Sequence, residues 1–103
     1  MLEEALAASA ETPVVLFKHS AICPISALAH RQVKKLTEPS DPPVYKLVVQ
    51  EHRPVSNAIA DRFGIRHESP QAIVVYEGEP IFHTSHTSIT ARALREVITE
   101  VTA

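Results

Sequence analysis

The apolar and polar positions divide the chain into segments that alternate between strand-like and helix-like patterns. Short apolar runs that are rich in β-branched and aromatic residues predict strands. Longer segments whose apolar residues recur every three or four positions predict helices. The predicted strands are 13–19, 44–50, 72–76 and 80–84, and the predicted helices are 2–10, 24–36, 55–63 and 89–101.

The order of these elements is α, then β-α-β-α-β-β-α. The unbroken apolar centre of the first strand predicts burial on both faces, as in the middle of a sheet covered by helices. The helix between the first two strands predicts a parallel βαβ unit. Glu77-Gly78-Glu79 predicts a turn between the last two strands, and Pro80 places the final strand at an edge. Arg53-Pro54 is expected to break the chain before the third helix, and Gly64 to end that helix.

Composition limits the class of protein. The chain has 103 residues, which predicts one domain over 1–103, and 45% of them are hydrophobic against 21% charged, as in globular proteins. The net charge of -2 provides no basic surface for nucleic acid. No apolar run is long enough to span a membrane, and the first residues lack the features of a signal peptide. A single cysteine fits a reducing compartment, so the expected location is the cytoplasm.

The single cysteine lies where a strand is predicted to turn into a helix. Cys23 follows the first strand, and Pro24 comes next, where a first helical residue best tolerates proline. A helix N-terminus has unpaired N–H groups and the positive end of the helix dipole. Both favour the thiolate, which is the nucleophilic form. The alternative is that Cys23 is a small buried hydrophobe without chemistry.

Ser26 stands where a dithiol motif would have its second cysteine. Its hydroxyl could donate a hydrogen bond to the Cys23 sulfur, or it could be an ordinary residue of a helical turn. The absence of a second cysteine excludes a dithiol reductase of the thioredoxin type.

With this element order and a cysteine after the first core strand, the chain resembles the thioredoxin-like fold. The resemblance implies a three-layer α/β/α architecture around a four-stranded mixed sheet, with an N-terminal helix before it. It also implies that Ser69-Pro70 is a cis peptide bond facing the cysteine, which would leave the Ser69 main chain free to pair with an extended substrate. The alternative is a trans proline that simply begins a strand.

Five segments in order resemble one smaller family, the bacillithiol-system YtxJ-like proteins or monothiol bacilliredoxins, from about Val14 onward. These segments are Phe17-Lys18-His19-Ser20, Cys23-Pro24-Ile25-Ser26, Arg53-Pro54-Val55-Ser56-Asn57, His67-Glu68-Ser69-Pro70-Gln71 and His83-Thr84-Ser85-His86. The resemblance implies that Cys23 is catalytic and removes bacillithiol from mixed disulfides on client proteins. Bacillithiol would be the thiol co-substrate, with no tightly bound cofactor and no nucleic-acid or membrane partner.

Three further side chains could line the rim of the thiol pocket. Lys18 and His19 precede the site loop and could add positive charge near Cys23, and His67 precedes the predicted cis-proline loop. Lys18 could also meet a carboxylate, since the resemblance implies that bacillithiol carries a malate group. The alternative is that Lys18 and His19 are a solvent-exposed pair at a strand end.

Two other functions remain open from the sequence. A zinc or iron site could combine Cys23 and His67 with His83 and His86, but neither Cys-x-x-Cys nor His-Glu-x-x-His is present, so we expect no metal site. Some monothiol proteins of this fold carry an iron–sulfur cluster, although their typical Cys-Gly-Phe-Ser motif differs from Cys-Pro-Ile-Ser here. The other alternative is a thioredoxin-like binding module with an inert thiol.

Overall fold

The computed structural model describes residues 1–102, so the last residue of the domain predicted over 1–103 lies outside the described residues. The helices and strands occur in the predicted order, with one short 3-10 helix in addition. The elements are α1 (Leu2–Ser9), β1 (Val14–His19), α2 (Pro24–Val33), β2 (Val44–Val48), α3 (Arg53–Phe63), β3 (Gln71–Tyr76), β4 (Glu79–Ser85), the 3-10 helix (His86–Ser88) and α4 (Ala91–Thr102).

The four strands form one mixed sheet in the order β2-β1-β3-β4. β1 pairs with β2 in parallel and with β3 antiparallel, and β3 and β4 form an antiparallel hairpin. The predicted parallel unit, the hairpin and the edge position of β4 are therefore confirmed. β1 is central because its apolar run can be buried only where helices cover both faces of the sheet.

Alternate residues of β1 and β3 face two separate hydrophobic cores. One core lies under α2 and α4 and includes Val15, Phe17 and Leu94. The other lies under α1 and α3 and includes Leu16 and Ile59. The helices thus form a layer on each face of the sheet, which confirms the three-layer α/β/α fold.

The two ends of α3 follow the backbone preferences of proline and glycine. Arg53 and Pro54 were expected to break the chain, but the structure places both in the first turn of α3. Proline is tolerated there because a first-turn N–H has no partner within the helix. Gly64 ends α3 with a left-handed φ of 65°, as predicted.

The orientation of α2 differs from the predicted apolar stripe. Helical spacing puts Ile25 and Leu28 on one apolar stripe of α2, but they are 39% and 50% exposed. Ser26, Ala29 and Val33 are the residues that face the sheet instead. The small side chains of Ser26 and Ala29 let the helix approach β1 closely, and the larger residues remain on the outer side.

The loops that contain the candidate site residues all lie at one edge of the sheet. The carboxyl ends of β1, β2 and β4 meet the amino end of β3 there, as shown by the pairing of Lys18 with Gln71 and of Gln71 with Ser85. None of the helices within residues 1–102 is long and apolar enough to cross a membrane.

Candidate active site

Cys23 is the N-cap residue of α2. Its backbone is extended, with φ -101° and ψ 121°, and Pro24 occupies the first turn. The Cys23 carbonyl accepts a hydrogen bond from the Ala27 N–H at 3.1 Å, which begins the helical ladder. The thiol is free and only partly buried, so it combines solvent access with the positive end of a helix dipole. The sulfur is therefore accessible to a reaction partner at the start of a helix.

Ser26 holds the loop that leads to Cys23 in place through hydrogen bonds of its hydroxyl. Its side chain is fully buried, and its hydroxyl accepts a hydrogen bond from the Ser20 N–H at 2.8 Å. The same oxygen shares a hydrogen bond of 2.9 Å with Nδ1 of His19. The proposed hydrogen bond to the Cys23 sulfur is not among the contacts of Ser26 within residues 1–102. Ser26 therefore positions the loop rather than touching the sulfur.

Gln50 is a second tether of the loop, and the sequence reasoning missed it. Its amide oxygen accepts the Ala21 N–H at 3.2 Å, and its amide nitrogen donates to the Ser20 hydroxyl at 2.8 Å. Gln50 follows β2, and the carboxyl ends of neighbouring parallel strands meet at one edge of a sheet. This topological argument could have placed Gln50 beside the loop after β1.

We expect Ser26→Ala to destabilise the fold by about 1–3 kcal/mol, because the buried Ser20 N–H would lose its acceptor. Chemical denaturation would measure this change. Ser88→Ala, which removes the hydroxyl of an exposed serine, is the matched control and should change the free energy of unfolding little. Equal unfolding free energies for Ser26→Ala and the wild type would contradict the tethering role.

His19 belongs to an aromatic cluster under α2 rather than to an exposed strand end. Its ring centroid lies 4.7 Å from that of His30, and Phe17 stacks on His30 at 5.9 Å. Burial lowers the pKa of both histidines, and the nearby Lys46 charge lowers each pKa further. The lowered pKa favours the neutral form of both rings, whereas the hydrogen bond from Ser26 partly opposes this effect at His19.

Lys18 is completely buried, which corrects both earlier interpretations of it as a rim residue and as a solvent-exposed one. It projects from the opposite face of β1, toward α3. Its Nζ donates to the Ser56 carbonyl at 3.1 Å and lies 3.1 Å from Nδ1 of His67. Burial lowers the pKa of Lys18. The sequence singled out the segments that contain these three residues, but it gave no sign that they meet.

The Ser69-Pro70 peptide bond is cis, as predicted. It lies directly before β3, at the sheet edge that also carries Cys23, and the Pro70 carbonyl accepts the His86 N–H at 3.0 Å. The Ser69 hydroxyl and the Gln71 amide oxygen are buried without a hydrogen-bond partner within residues 1–102. The interior beside the proline loop therefore retains unused hydrogen-bonding capacity.

The histidines that could have joined Cys23 in a metal site do not form such a site here. Within residues 1–102, no group of three or more histidine, cysteine, aspartate or glutamate side chains is placed to hold a metal ion. His67 instead directs its Nδ1 toward Lys18 and toward the Ser56 hydroxyl, which lies 3.2 Å away.

Comparison with known proteins places this geometry in a family. Residues 1–94 match the family described as monothiol bacilliredoxin BrxC, so the match includes α1 and does not begin at Val14. A solved structure described as an oxidoreductase with a thioredoxin fold is 35% identical, with a TM-score of 0.83 over 92% of this chain and 83% of that chain.

Two thioredoxins share the fold at lower identity. Chloroplastic thioredoxin z is 20% identical, with a TM-score of 0.78 over 98% of this chain and 87% of its own. A mutant thioredoxin from Halobacterium salinarum is 22% identical, with a TM-score of 0.73 over 100% of this chain and 86% of its own. With its one cysteine at the N-cap of α2, this chain belongs to the monothiol bacilliredoxin family of thioredoxin-fold oxidoreductases.

Proposed function

We propose that this protein removes bacillithiol from mixed disulfides on other proteins, with the Cys23 thiolate as nucleophile. The observation that carries the proposal is the partly exposed, free thiol of Cys23 at the N-cap of α2, in a chain of the bacilliredoxin family. The chain has no second cysteine, so a small thiol must complete each cycle.

The reaction proceeds by two thiol–disulfide exchanges. In the first, the Cys23 thiolate attacks the bacillithiol sulfur, a new disulfide forms on Cys23, and the client leaves as a thiolate that takes a proton from water. In the second, the thiolate of another bacillithiol attacks the bacillithiol sulfur held on Cys23. Cys23 is released as a thiolate, and the two bacillithiol molecules leave as their disulfide. The net reaction converts the mixed disulfide and one free bacillithiol into the client thiol and bacillithiol disulfide, so the free bacillithiol is the reductant.

The surface around the thiol supports a protein as the substrate. Ile22, Ile25 and Leu28 flank or follow Cys23, and the Ile22 side chain is 84% exposed. Exposed apolar side chains beside a reactive group are typical of surfaces that receive another protein. The loop of Ser69 and Pro70 lies at the same sheet edge, where the Ser69 main chain would pair with an extended client segment.

The test is intact mass spectrometry of the protein after incubation with bacillithiol disulfide, and again after addition of excess bacillithiol. We expect one bacillithiol adduct on Cys23, which the added thiol removes. A folded protein with an accessible thiol that forms no adduct would contradict the proposal. Denatured protein is the control, because it shows the reactivity of the same thiol without the fold.

A further inference from the structure

A buried network of three residues stands behind the candidate site and has no part in the exchange steps above. This Lys18 network consists of Lys18, Ser56 and His67. The fully buried Nζ of Lys18 contacts the Ser56 carbonyl and Nδ1 of His67, each at 3.1 Å, and the Ser56 hydroxyl lies 3.2 Å from the same Nδ1. An ionisable group is rarely buried unless such partners satisfy it.

The contact with Lys18 links the tautomer of His67 to the charge of the lysine. An ammonium group donates three hydrogens and accepts none. When Lys18 is charged, Nδ1 of His67 accepts from it, and the proton of the neutral ring resides on Nε2. Because Nδ1 faces the buried network and the residue is partly exposed, Nε2–H lies on the outer side of the ring.

Arg53 lies one helical turn before Ser56, whose hydroxyl is 3.2 Å from Nδ1 of His67. Arg53 is exposed, whereas Ser56 is fully buried. Burial lowers the pKa of His67, and the charges of Lys18 and Arg53 lower it further, whereas Glu68 opposes this effect. The Nε2–H of His67 and the guanidinium N–H groups of Arg53 are thus all donors, and neither group has an outward acceptor.

We propose that Lys18 is a positioning residue that holds Nε2–H of His67 outward, where His67 and Arg53 together bind a carboxylate on the small thiol of the mixed disulfide. A guanidinium fits the planar, two-oxygen shape of a carboxylate, and the imidazole N–H donates a further hydrogen bond from another direction. This inference rests on the proposed function because it names the chemical feature by which the small thiol is selected.

The first experiment is independent of exchange. Imidazole nitrogen NMR of the wild type should show His67 as the Nε2–H tautomer, and Lys18→Met should yield a mixture of tautomers. Methylthiopropionate, which has a carboxylate but no thiol, should shift the Nε2 signal of the wild type, whereas the uncharged methylthioethanol should not. A wild-type ring protonated on Nδ1, or equal responses to the two probes, would overturn the inference even if exchange on Cys23 proceeds.

The second experiment measures exchange with two mixed disulfides of one client, carrying mercaptopropionate or mercaptoethanol. His67→Asn retains an acceptor near the Nδ1 position but removes the outward donor. It should raise KM about fivefold for the mercaptopropionate disulfide, the scale of one partly exposed charged hydrogen bond, and change kcat little. KM for the mercaptoethanol disulfide should rise much less, because that disulfide has no carboxylate.

His67→Gln is the matched variant, because its longer amide reaches the Nε2 position and should restore much of the lost discrimination. If the Lys18 network were purely structural, His67→Asn would slow exchange with both disulfides equally. That result would overturn carboxylate recognition. If the wild type exchanged with neither disulfide, that result would contradict the proposed function. The NMR titration would still test carboxylate binding by His67 separately.

Discussion

Replacing Cys23 with serine should reduce exchange with a bacillithiolated client by at least about three orders of magnitude, because the hydroxyl cannot replace the thiolate as nucleophile. Serine is a favoured N-cap residue, so α2 should still begin at the same position. Release of the client thiol and the adduct mass would be measured together. The expected result is a folded protein that forms no bacillithiol adduct.

The matched control is the double variant Cys23→Ser with Ser40→Cys, which again has one cysteine. Ser40 is exposed and lies in the connection between α2 and β2, away from any helix N-terminus. If its thiol restored exchange to the wild-type rate, the position of Cys23 at the N-cap of α2 would have no special role. We expect the double variant to react only as an ordinary surface thiol.

Acidification should destabilise the fold by up to about 1.4 kcal/mol per pH unit for each histidine whose folded-state pKa is lowered. Burial is the first cause of the lowered pKa of His19, His30 and His67. Below the ordinary histidine pKa of 6.5, the unfolded chain takes up protons that the folded chain does not. The stability is therefore fully present above that pH and is lost as the pH falls toward the lowered values.

Denaturant unfolding between about pH 7.5 and about pH 5 would measure this loss. His30→Gln is the informative variant, because it removes one of the three titrating rings and should reduce the slope of stability against pH. Its ring contacts with Phe17 and His19 would also be lost, so the slope rather than the absolute stability is the readout. A free energy of unfolding that does not change over this range would contradict neutral burial of these histidines.

Several features of the site could be predicted from sequence because each rests on a local rule. A proline after Cys23 marks the first turn of a helix, and the position of Cys23 at the N-cap follows from it. The glycine after Phe63 predicts the end of α3 in the same way. The resemblance to a known fold added the cis bond at Ser69-Pro70, which composition and periodicity do not reveal.

The errors concern which side of an element faces the interior. Periodicity shows that Ile25 and Leu28 share a face of α2, but their exposure follows from how the helix lies on β1. Periodicity likewise places Lys18 on the face of β1 opposite His19 without showing that α3 would cover it. The strand-end position of Lys18 suggested solvent, whereas the partner elements determined burial.

Local sequence patterns predict the order of the elements, the central position of β1 and the placement of Cys23 at the N-cap of α2, because these depend on neighbours within a few residues. The contacts of Lys18 with Ser56 and His67, which are 38 and 49 residues away along the chain, depend on how the elements pack. Such contacts arise when strands pair and helices cover the sheet. The physical reason is that a local pattern specifies a face, while the packing of distant segments specifies what that face meets.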